Sequence, residues 1–136
     1  GRPTVLVALD LSAAFDMVDH QILLNRLSTS FGVRGLALSW LQSYLSDRLQ
    51  QIRIATSSSI PERCCFGVPQ GSVLGPILFT LYTAPVGQLI TSCEVMHQQY
   101  ADDTQIYIAL SAPDHHSSIL KLEQCLSQLH HRFSAN

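Results

Sequence analysis

The chain has 136 residues, of which 46% are hydrophobic and 13% charged, and its formal net charge is −2. This composition favours one domain or part of one, with apolar surface that neighbouring parts of a larger protein would cover. The near-neutral charge counts against a stand-alone nucleic-acid-binding module. No stretch reaches the roughly 18 uncharged apolar residues of a membrane helix, and the strand-like start predicts no signal peptide.

The first half of the chain predicts one strand and two helices. Residues 4–11 are a continuous β-branched and apolar run, which is typical of a strand buried on both faces. Asp19 can cap a helix over residues 20–31, and Gly32 can end it. Apolar residues at helical spacing predict a second helix over residues 36–48.

The second half predicts paired strands, a helix, a hairpin and a last helix. Residues 50–56 alternate like a strand, and residues 60–68 could return beside it. A loop rich in glycine and proline then leads into a helix over residues 73–90. A hairpin over residues 95–110 precedes an amphipathic helix over residues 119–133. Together these elements predict an α+β fold, an antiparallel sheet with helices packed on one face.

The cysteines and histidines show no metal-ligand spacing. The four cysteines lack C-x-x-C pairing, which predicts free buried thiols in a reducing compartment. The adjacent histidine pairs at residues 115–116 and 130–131 lack i, i+4 spacing, which favours a solvated face. All six histidines are therefore interpreted as incidental.

Two adjacent carboxylates, Asp102 and Asp103, fall at the tip of the predicted hairpin. About 4 Å apart, they would repel by roughly 4 kcal/mol at an effective dielectric of 20. Exposure to water, a retained proton or a bound cation can relieve this repulsion. A solvated turn is the plainer alternative, because aspartate is a common turn residue.

A third acid, Asp10, ends the first predicted strand, where a lone carboxylate is costly unless it is compensated. The plainer alternative is a cap for the turn at residues 11–14. If this strand lies beside the hairpin, Asp10 meets Asp102 and Asp103 at one end of the sheet. Such an all-oxygen cluster suits Mg²⁺, and two ions would support an in-line phosphoryl transfer.

Three stretches in this order, ALDLSAAFD, GVPQGSVLGP and YADD, resemble motifs A, B and C of the reverse transcriptase palm. The longer stretches AFDMVDH, RLSTSFGVRGLALSWLQSYLSDR and YADDTQIY are most similar to LINE-type (non-LTR) retrotransposon polymerases of the jockey-like and chicken-repeat-like kinds. YADD alone would be a weak match, whereas three ordered motifs are a specific one. The resemblance covers residues 1–136 and implies a partial reverse transcriptase domain, a palm core with fingers before it and a thumb after it.

The resemblance implies catalytic and metal-binding roles for four residues. Asp10 corresponds to the motif A aspartate that bridges two Mg²⁺ ions, with Mn²⁺ as a substitute, and the Leu11 carbonyl corresponds to a further ligand. Asp102 corresponds to the motif C ligand that activates the primer 3′-hydroxyl. Asp103 corresponds to the second motif C ligand, usually the less demanding one.

The resemblance also implies five substrate-binding residues. Phe15 matches the aromatic gate that leaves no room for a ribose 2′-hydroxyl, with an ordinary core phenylalanine as the alternative. The backbone N–H groups of Ala13 and Ala14 match those that meet the triphosphate. Gln70 and Gly71 match residues beside the sugar and templating base, with a plain loop entering a helix as the alternative.

Two further positions have a less specific correspondence. Asp16 is interpreted as structural, capping the turn into the helix. Tyr100 is expected to pack below the primer end, and it could equally be a core strand residue.

The resemblance implies an RNA-directed DNA polymerase that adds dNTPs to a DNA primer on an RNA template. No membrane partner is expected. An inactive retrotransposon-derived remnant, acting as an interaction module, is the alternative. Phe15 disfavours an RNA-directed RNA polymerase. From the family resemblance, copying is expected at chromosomal DNA, hence a nuclear location at the time of action, with a cytoplasmic location expected otherwise.

Overall fold

The computed structural model describes residues 3–10, 13–110 and 114–134 of the chain. The chain divides into two compact units, Gly1–Ser12 with Thr83–Asn136 as the first and Ala13–Tyr82 as the second. The described residues form four α-helices and seven strands, and every pair of strands is antiparallel. This mixture confirms the predicted α+β class.

The elements follow the predicted order along the chain. The strands are β1 (Thr4–Leu9), β2 (Leu49–Gln50), β3 (Arg53–Ile54), β4 (Ser57–Ser58), β5 (Glu62–Arg63), β6 (Met96–Tyr100) and β7 (Asp103–Ala109). The helices are α1 (His20–Thr29), α2 (Gly35–Leu45), α3 (Gly75–Ser92) and α4 (His115–Ser134).

The first unit contains a three-stranded sheet of order β1-β7-β6. β1 pairs with β7 along its whole length, ending with Leu9 opposite Thr104. β6 and β7 form the predicted hairpin, and their last pair is Tyr100 opposite Asp103. The first strand therefore lies beside the hairpin, as the sequence predicts.

β1 is buried on one face only, so the predicted burial on both faces is wrong. Val5, Val7 and Leu9 are half-buried, whereas Leu6 on the opposite face is 60% exposed. The physical reason is that the helices of its own unit pack on the face of the sheet that carries Val5, Val7 and Leu9, and not on the face that carries Leu6. An apolar run therefore does not by itself distinguish a strand buried on both faces from a strand covered on one face.

The core of the first unit lies between the sheet and two helices. The C-terminal part of α3 and one face of α4 pack on the same side of β1 and β7. This arrangement agrees with helices packed on one face of an antiparallel sheet. The buried side chains of this core are Val86, Ile90, Val95, Ile106, Leu122, Cys125 and Leu129.

In the second unit, α1 begins at the predicted cap. The Asp19 carboxylate accepts a hydrogen bond from the backbone N–H of Ile22 at 2.9 Å, which satisfies one of the free N–H groups of the first turn. Leu23 and Leu27 are buried one helical turn apart. Gly32 follows the helix with a φ of +69°, a backbone conformation that glycine adopts without strain.

The second helix of this unit, α2, buries less than its sequence predicts. Its apolar residues do recur at helical spacing, but Leu45 is its only buried residue. Trp40 is 57% exposed, and its ring stacks on Tyr44 with centroids 5.6 Å apart. The spacing thus predicted the helix and not the burial of its face.

The strands of the second unit are two short ladders instead of one long hairpin. β2 pairs with β5, and β3 pairs with β4. The predicted return of the second strand is thus confirmed by the β2–β5 pair. Among the residues that the structure describes, no helix combines the length and the apolar character needed to cross a membrane.

The four cysteines are free, and they differ in exposure. Cys125 is fully buried in the core of the first unit, whereas Cys65 is exposed, so the prediction of buried thiols is wrong for Cys65. Burial, together with a hydrogen bond and charge repulsion from Cys93, raises the pKa of Cys125 to about 12.

We expect Cys65 to react with iodoacetamide near pH 8 while Cys125 stays unmodified until the chain unfolds, because the thiolate is the reactive form. Mass spectrometry after timed alkylation, with and without urea, measures both rates. Equal rates for the two thiols in the native chain would contradict the burial of Cys125.

The pKa of Cys125 is higher in the folded chain than in the unfolded chain. The free energy of unfolding should therefore fall as the pH rises from 9 to about 12, since only the unfolded thiol ionises in that window.

Candidate functional site

Three aspartates lie at one end of the sheet in the first unit. Asp10 directly follows β1, Asp102 lies in the turn between β6 and β7, and Asp103 begins β7. Extending the β1–β7 register by one pair beyond Leu9 and Thr104 sets Asp10 opposite Asp103. Directly opposite residues of antiparallel strands have Cα atoms about 5 Å apart. If the pairing continues by this one residue, it brings the backbones of two acids that are far apart in sequence close together.

The alternation of the strands assigns Asp10 and Asp103 to the same face. Leu9 is half-buried against the core, and its partner Thr104 is buried. The neighbouring pair, Asp10 and Asp103, belongs to the opposite face, because successive side chains point to opposite sides of a sheet. Both aspartates are exposed, and Asp102 is half-buried.

The turn that carries Asp102 has a constrained backbone. Ala101, its first residue, has a φ of +51°, in the left-handed region. A residue with a Cβ atom in this region costs roughly 1–2 kcal/mol. Such strain persists where the surrounding structure enforces it, and it is common at ligand-binding sites.

Among residues 3–10, 13–110 and 114–134, no three His, Cys, Asp or Glu side chains form a group that could hold a metal ion. The predicted ligand Leu11 lies outside the described residues. Carboxylates placed close together repel one another, and exposed side chains relieve this repulsion by pointing into water. The chemistry of the donors nevertheless suits a hard divalent cation, because Asp10, Asp102 and Asp103 offer only oxygen atoms.

Tyr100 is not a core residue, so that alternative is wrong. Its side chain is 80% exposed, on the same face as its strand partner Asp103. Tyr100 and Asp103 line an open pocket of about 120 Å³ together with the amide side chains of Gln98 and Gln105. This face of the sheet is thus polar and accessible around Asp103.

The second unit contains the residues that the sequence predicts to bind the nucleotide. Residues Ala13–Met17, here called the A turn, make a 3₁₀ turn in which the Ala13 carbonyl accepts hydrogen bonds from the N–H groups of Asp16 and Met17. Phe15 is half-buried, and its ring stacks on the buried Phe79 with centroids 4.7 Å apart. The stacking fixes the plane of the predicted gate.

The B loop, defined as residues Gly67–Gly71, is joined to the A turn through the backbone. The N–H of Gly67 donates to the Val18 carbonyl at 2.8 Å, and the N–H of Val68 donates to the Phe15 carbonyl at 2.9 Å. Gly67 is buried with a φ of +83°. A Cβ atom there would lie 3.0 Å from the Asp16 Cα and 3.1 Å from the Phe15 carbonyl oxygen.

The side chain of Gln70 also contacts the A turn. Its amide nitrogen donates to both carboxylate oxygens of Asp16, at 3.2 and 3.3 Å. The cap of α1 is Asp19, as predicted, and Asp16 makes a structural contact, since its carboxylate accepts hydrogen bonds from the predicted nucleotide-binding residue Gln70. Gly71, at the end of the B loop, is exposed with a φ of +75°.

Two polar residues that the sequence analysis did not single out contact the B loop. His20 Nε2 lies 2.8 Å from the Gly67 carbonyl oxygen, and Arg48 Nη1 donates to the same oxygen at 3.0 Å. A carbonyl oxygen only accepts, so His20 Nε2 carries the proton. His20 is therefore not incidental, contrary to the sequence interpretation. The two contacts span 47 and 19 residues, so no local pattern indicates them.

We expect Gly67→Ala to lower the free energy of unfolding by about 1–3 kcal/mol, since the new methyl group would meet A-turn backbone and the residue would be strained at positive φ. Urea denaturation followed by circular dichroism measures this change. Gly32→Ala is a control for the strain alone, because a Cβ there would meet nothing within 4 Å. Equal losses in the two variants would contradict the close approach at Gly67.

Comparisons with known proteins identify the family. The profile of the family "Reverse transcriptase (RNA-dependent DNA polymerase)" matches residues 1–136. In Drosophila melanogaster, the probable RNA-directed DNA polymerase from transposon BS is 42% identical over 57% of this chain, and that from transposon X-element is 36% identical over 70%. The RNA-directed DNA polymerase from mobile element jockey of the same organism is 32% identical over 72%.

The chain spans only 8–11% of the length of these three relatives. The family match nevertheless extends over every residue of the chain, so it does not depend on one short motif. The chain belongs to the reverse transcriptase family and is related to the polymerases of the jockey, X-element and BS non-LTR retrotransposons.

Proposed function

We propose that this chain is the catalytic palm segment of an RNA-directed DNA polymerase, which adds deoxynucleotides to the 3′-hydroxyl of a primer on an RNA template. The observation that carries the proposal is the register of β1 and β7, which ends with Leu9 opposite Thr104. This register supports a common position for the motif A and motif C aspartates. Membership of the reverse transcriptase family supports the reaction.

Asp10, Asp102 and Asp103 are the residues that would hold two Mg²⁺ ions, with the carbonyl of Leu11 as a further ligand. The bound ions would activate the primer hydroxyl and neutralise charge on the attacking and leaving oxygens. The strand pairing and the constrained turn at Ala101 support this proposal, because they would limit how far the three carboxylates can separate. Less reorganisation is then needed when the substrates arrive.

In the second unit, Phe15 is proposed to select deoxyribose, and Gln70 and Gly71 to contact the incoming nucleotide. The stacking of Phe15 on Phe79 supports the gate, because a fixed ring excludes a 2′-hydroxyl better than a mobile one. The exposed Gly71 would let a substrate approach the backbone closely. The backbone N–H groups of Ala13 and Ala14 are proposed to meet the triphosphate.

The RNA template and the DNA primer would be bound largely by parts of the polymerase outside this segment. The chain has 8 Lys and Arg against 10 Asp and Glu, too little positive charge to hold a nucleic-acid duplex by itself. Nuclear action at chromosomal DNA belongs to the same proposal. All three motif aspartates, Phe15 and Gln70 are present, which favours catalysis over an inactive remnant.

In the full-length polymerase that carries this segment, we expect Asp102→Asn to reduce primer extension by about 100- to 1,000-fold, because one group that stabilises charge at the reacting atoms would be lost. Binding of the template and primer should barely change. Extension on an RNA template and binding by fluorescence anisotropy measure the two effects. Asp47→Asn is the matched control, because its exposed carboxylate forms a surface ion pair with Arg63. Activity within tenfold of wild type in Asp102→Asn would refute the assigned role.

We expect the 136-residue chain alone to show no primer extension under conditions in which the full-length polymerase is active. The reason is its small positive charge, which gives little affinity for a primer–template duplex. A gel-based extension assay at matched concentrations, with Mg²⁺ and then with Mn²⁺, measures this difference. Processive synthesis by the short chain would overturn the expectation that other parts bind the duplex.

A further inference from the structure

We propose that His20 and Arg48 are positioning residues for nucleotide selection. Both donate a hydrogen bond to the carbonyl of Gly67, the first residue of the B loop, and so fix this residue, here called the loop root. The inference rests on the proposed function, in which Phe15 and Gln70 contact the nucleotide. Neither His20 nor Arg48 lies within ALDLSAAFD, GVPQGSVLGP or YADD, the three stretches that resemble motifs A, B and C. Their effect would reach the substrate only through the loop.

The Gly67 carbonyl has two donors from different elements. His20 is the first residue of α1, directly after the cap Asp19, and its Nε2 donates at 2.8 Å. Arg48 lies between α2 and β2, and its Nη1 donates at 3.0 Å. The backbone of Arg48 is itself fixed, because its carbonyl accepts from the Cys64 N–H at 2.9 Å. The loop root is thus tied to both α1 and the β2–β5 ladder.

The conformation of Gly67 makes these donors necessary. Its N–H already pairs with Val18, and its φ of +83° turns the chain at a buried position. A buried carbonyl without a partner loses the hydrogen bonds that it made with water in the unfolded chain. Removing one donor leaves a partner for the oxygen, whereas removing both leaves it without a partner among the described residues.

A displacement of the loop root would be transmitted to both proposed nucleotide contacts. The next residue, Val68, donates to the Phe15 carbonyl at 2.9 Å. Three residues beyond the root, Gln70 donates to the Asp16 carboxylate. Phe15 and Gln70 are therefore positioned by one short backbone segment, and loosening it should change substrate selection more than it changes the chemical step.

Arg63 provides a matched control for the loss of a positive charge near His20 and Arg48. It lines the same pocket of about 280 Å³ as His20 and Arg48. Its side chain is 75% exposed, and its ion pair with Asp47 at 3.3 Å does not involve the B loop. Arg63→Ala removes a positive charge from the pocket and leaves the Gly67 carbonyl with both donors.

Steady-state kinetics of the full-length polymerase test the proposal. His20→Ala and Arg48→Ala should each raise the KM for dNTP about fivefold and weaken discrimination against rNTP, with kcat within about twofold of wild type. The double variant should exceed the product of the single effects, because only it leaves the carbonyl unsatisfied. His20→Gln and Arg48→Lys retain a donor and should recover most of the loss.

Hydrogen–deuterium exchange gives a readout that does not require polymerase activity. The Gly67 and Val68 amides should exchange about fivefold faster in each single variant than in wild type, while amides of the β1–β7–β6 sheet stay unchanged. A wild-type polymerase without activity would refute the proposed function, and exchange would then decide the role of the two donors in holding the loop. Unchanged exchange at Gly67 and Val68, or a KM change in Arg63→Ala equal to that in His20→Ala, would overturn the inference.

Discussion

The pairing of β1 with β7 is the constraint on which the candidate metal site depends. The register that ends with Leu9 opposite Thr104, continued by one residue, sets Asp10 against Asp103 at the start of β7. A slip of one residue would move the side chains of β1 to the other face and separate Asp10 from Asp103. The apolar residues of β1 resist such a slip, because Val5, Val7 and Leu9 already pack on the core. The hydrophobic face of the strand thus specifies the position of its terminal charge.

The second unit places its candidate nucleotide-binding residues by a different means. No long strand holds the B loop, so single hydrogen bonds and one glycine conformation determine where it lies. Gly67 combines these constraints: it is buried, it approaches the A turn closely and its carbonyl has two donors. Small changes at its neighbours should therefore alter selectivity before they alter the fold.

Local sequence patterns predicted those elements that depend on interactions between residues close together in the chain. The alternation after Asp103 predicted β7, Asp19 predicted the start of α1, and the paired aspartates predicted the hairpin turn. The errors concern which faces of these elements are covered by other parts of the fold. The exposure of Leu6 depends on what covers the sheet.

The contact between His20 and Gly67 joins residues that are distant in sequence and is fixed by tertiary packing. Its only local sign was a histidine at the first position of a helix. The candidate acids, in contrast, could be identified because charge is rare in this chain, so each buried or paired carboxylate required an explanation.

The most direct measurement of the central claim is the position of Mn²⁺ in crystals of the full-length polymerase, located by anomalous scattering in the presence of primer–template and a non-hydrolysable dNTP. Our account predicts an anomalous peak within coordination distance of carboxylate oxygens from both Asp10 and Asp102. Peaks that contact neither residue, or Asp10 and Asp102 in contact with widely separated ions that share no ligand, would contradict it.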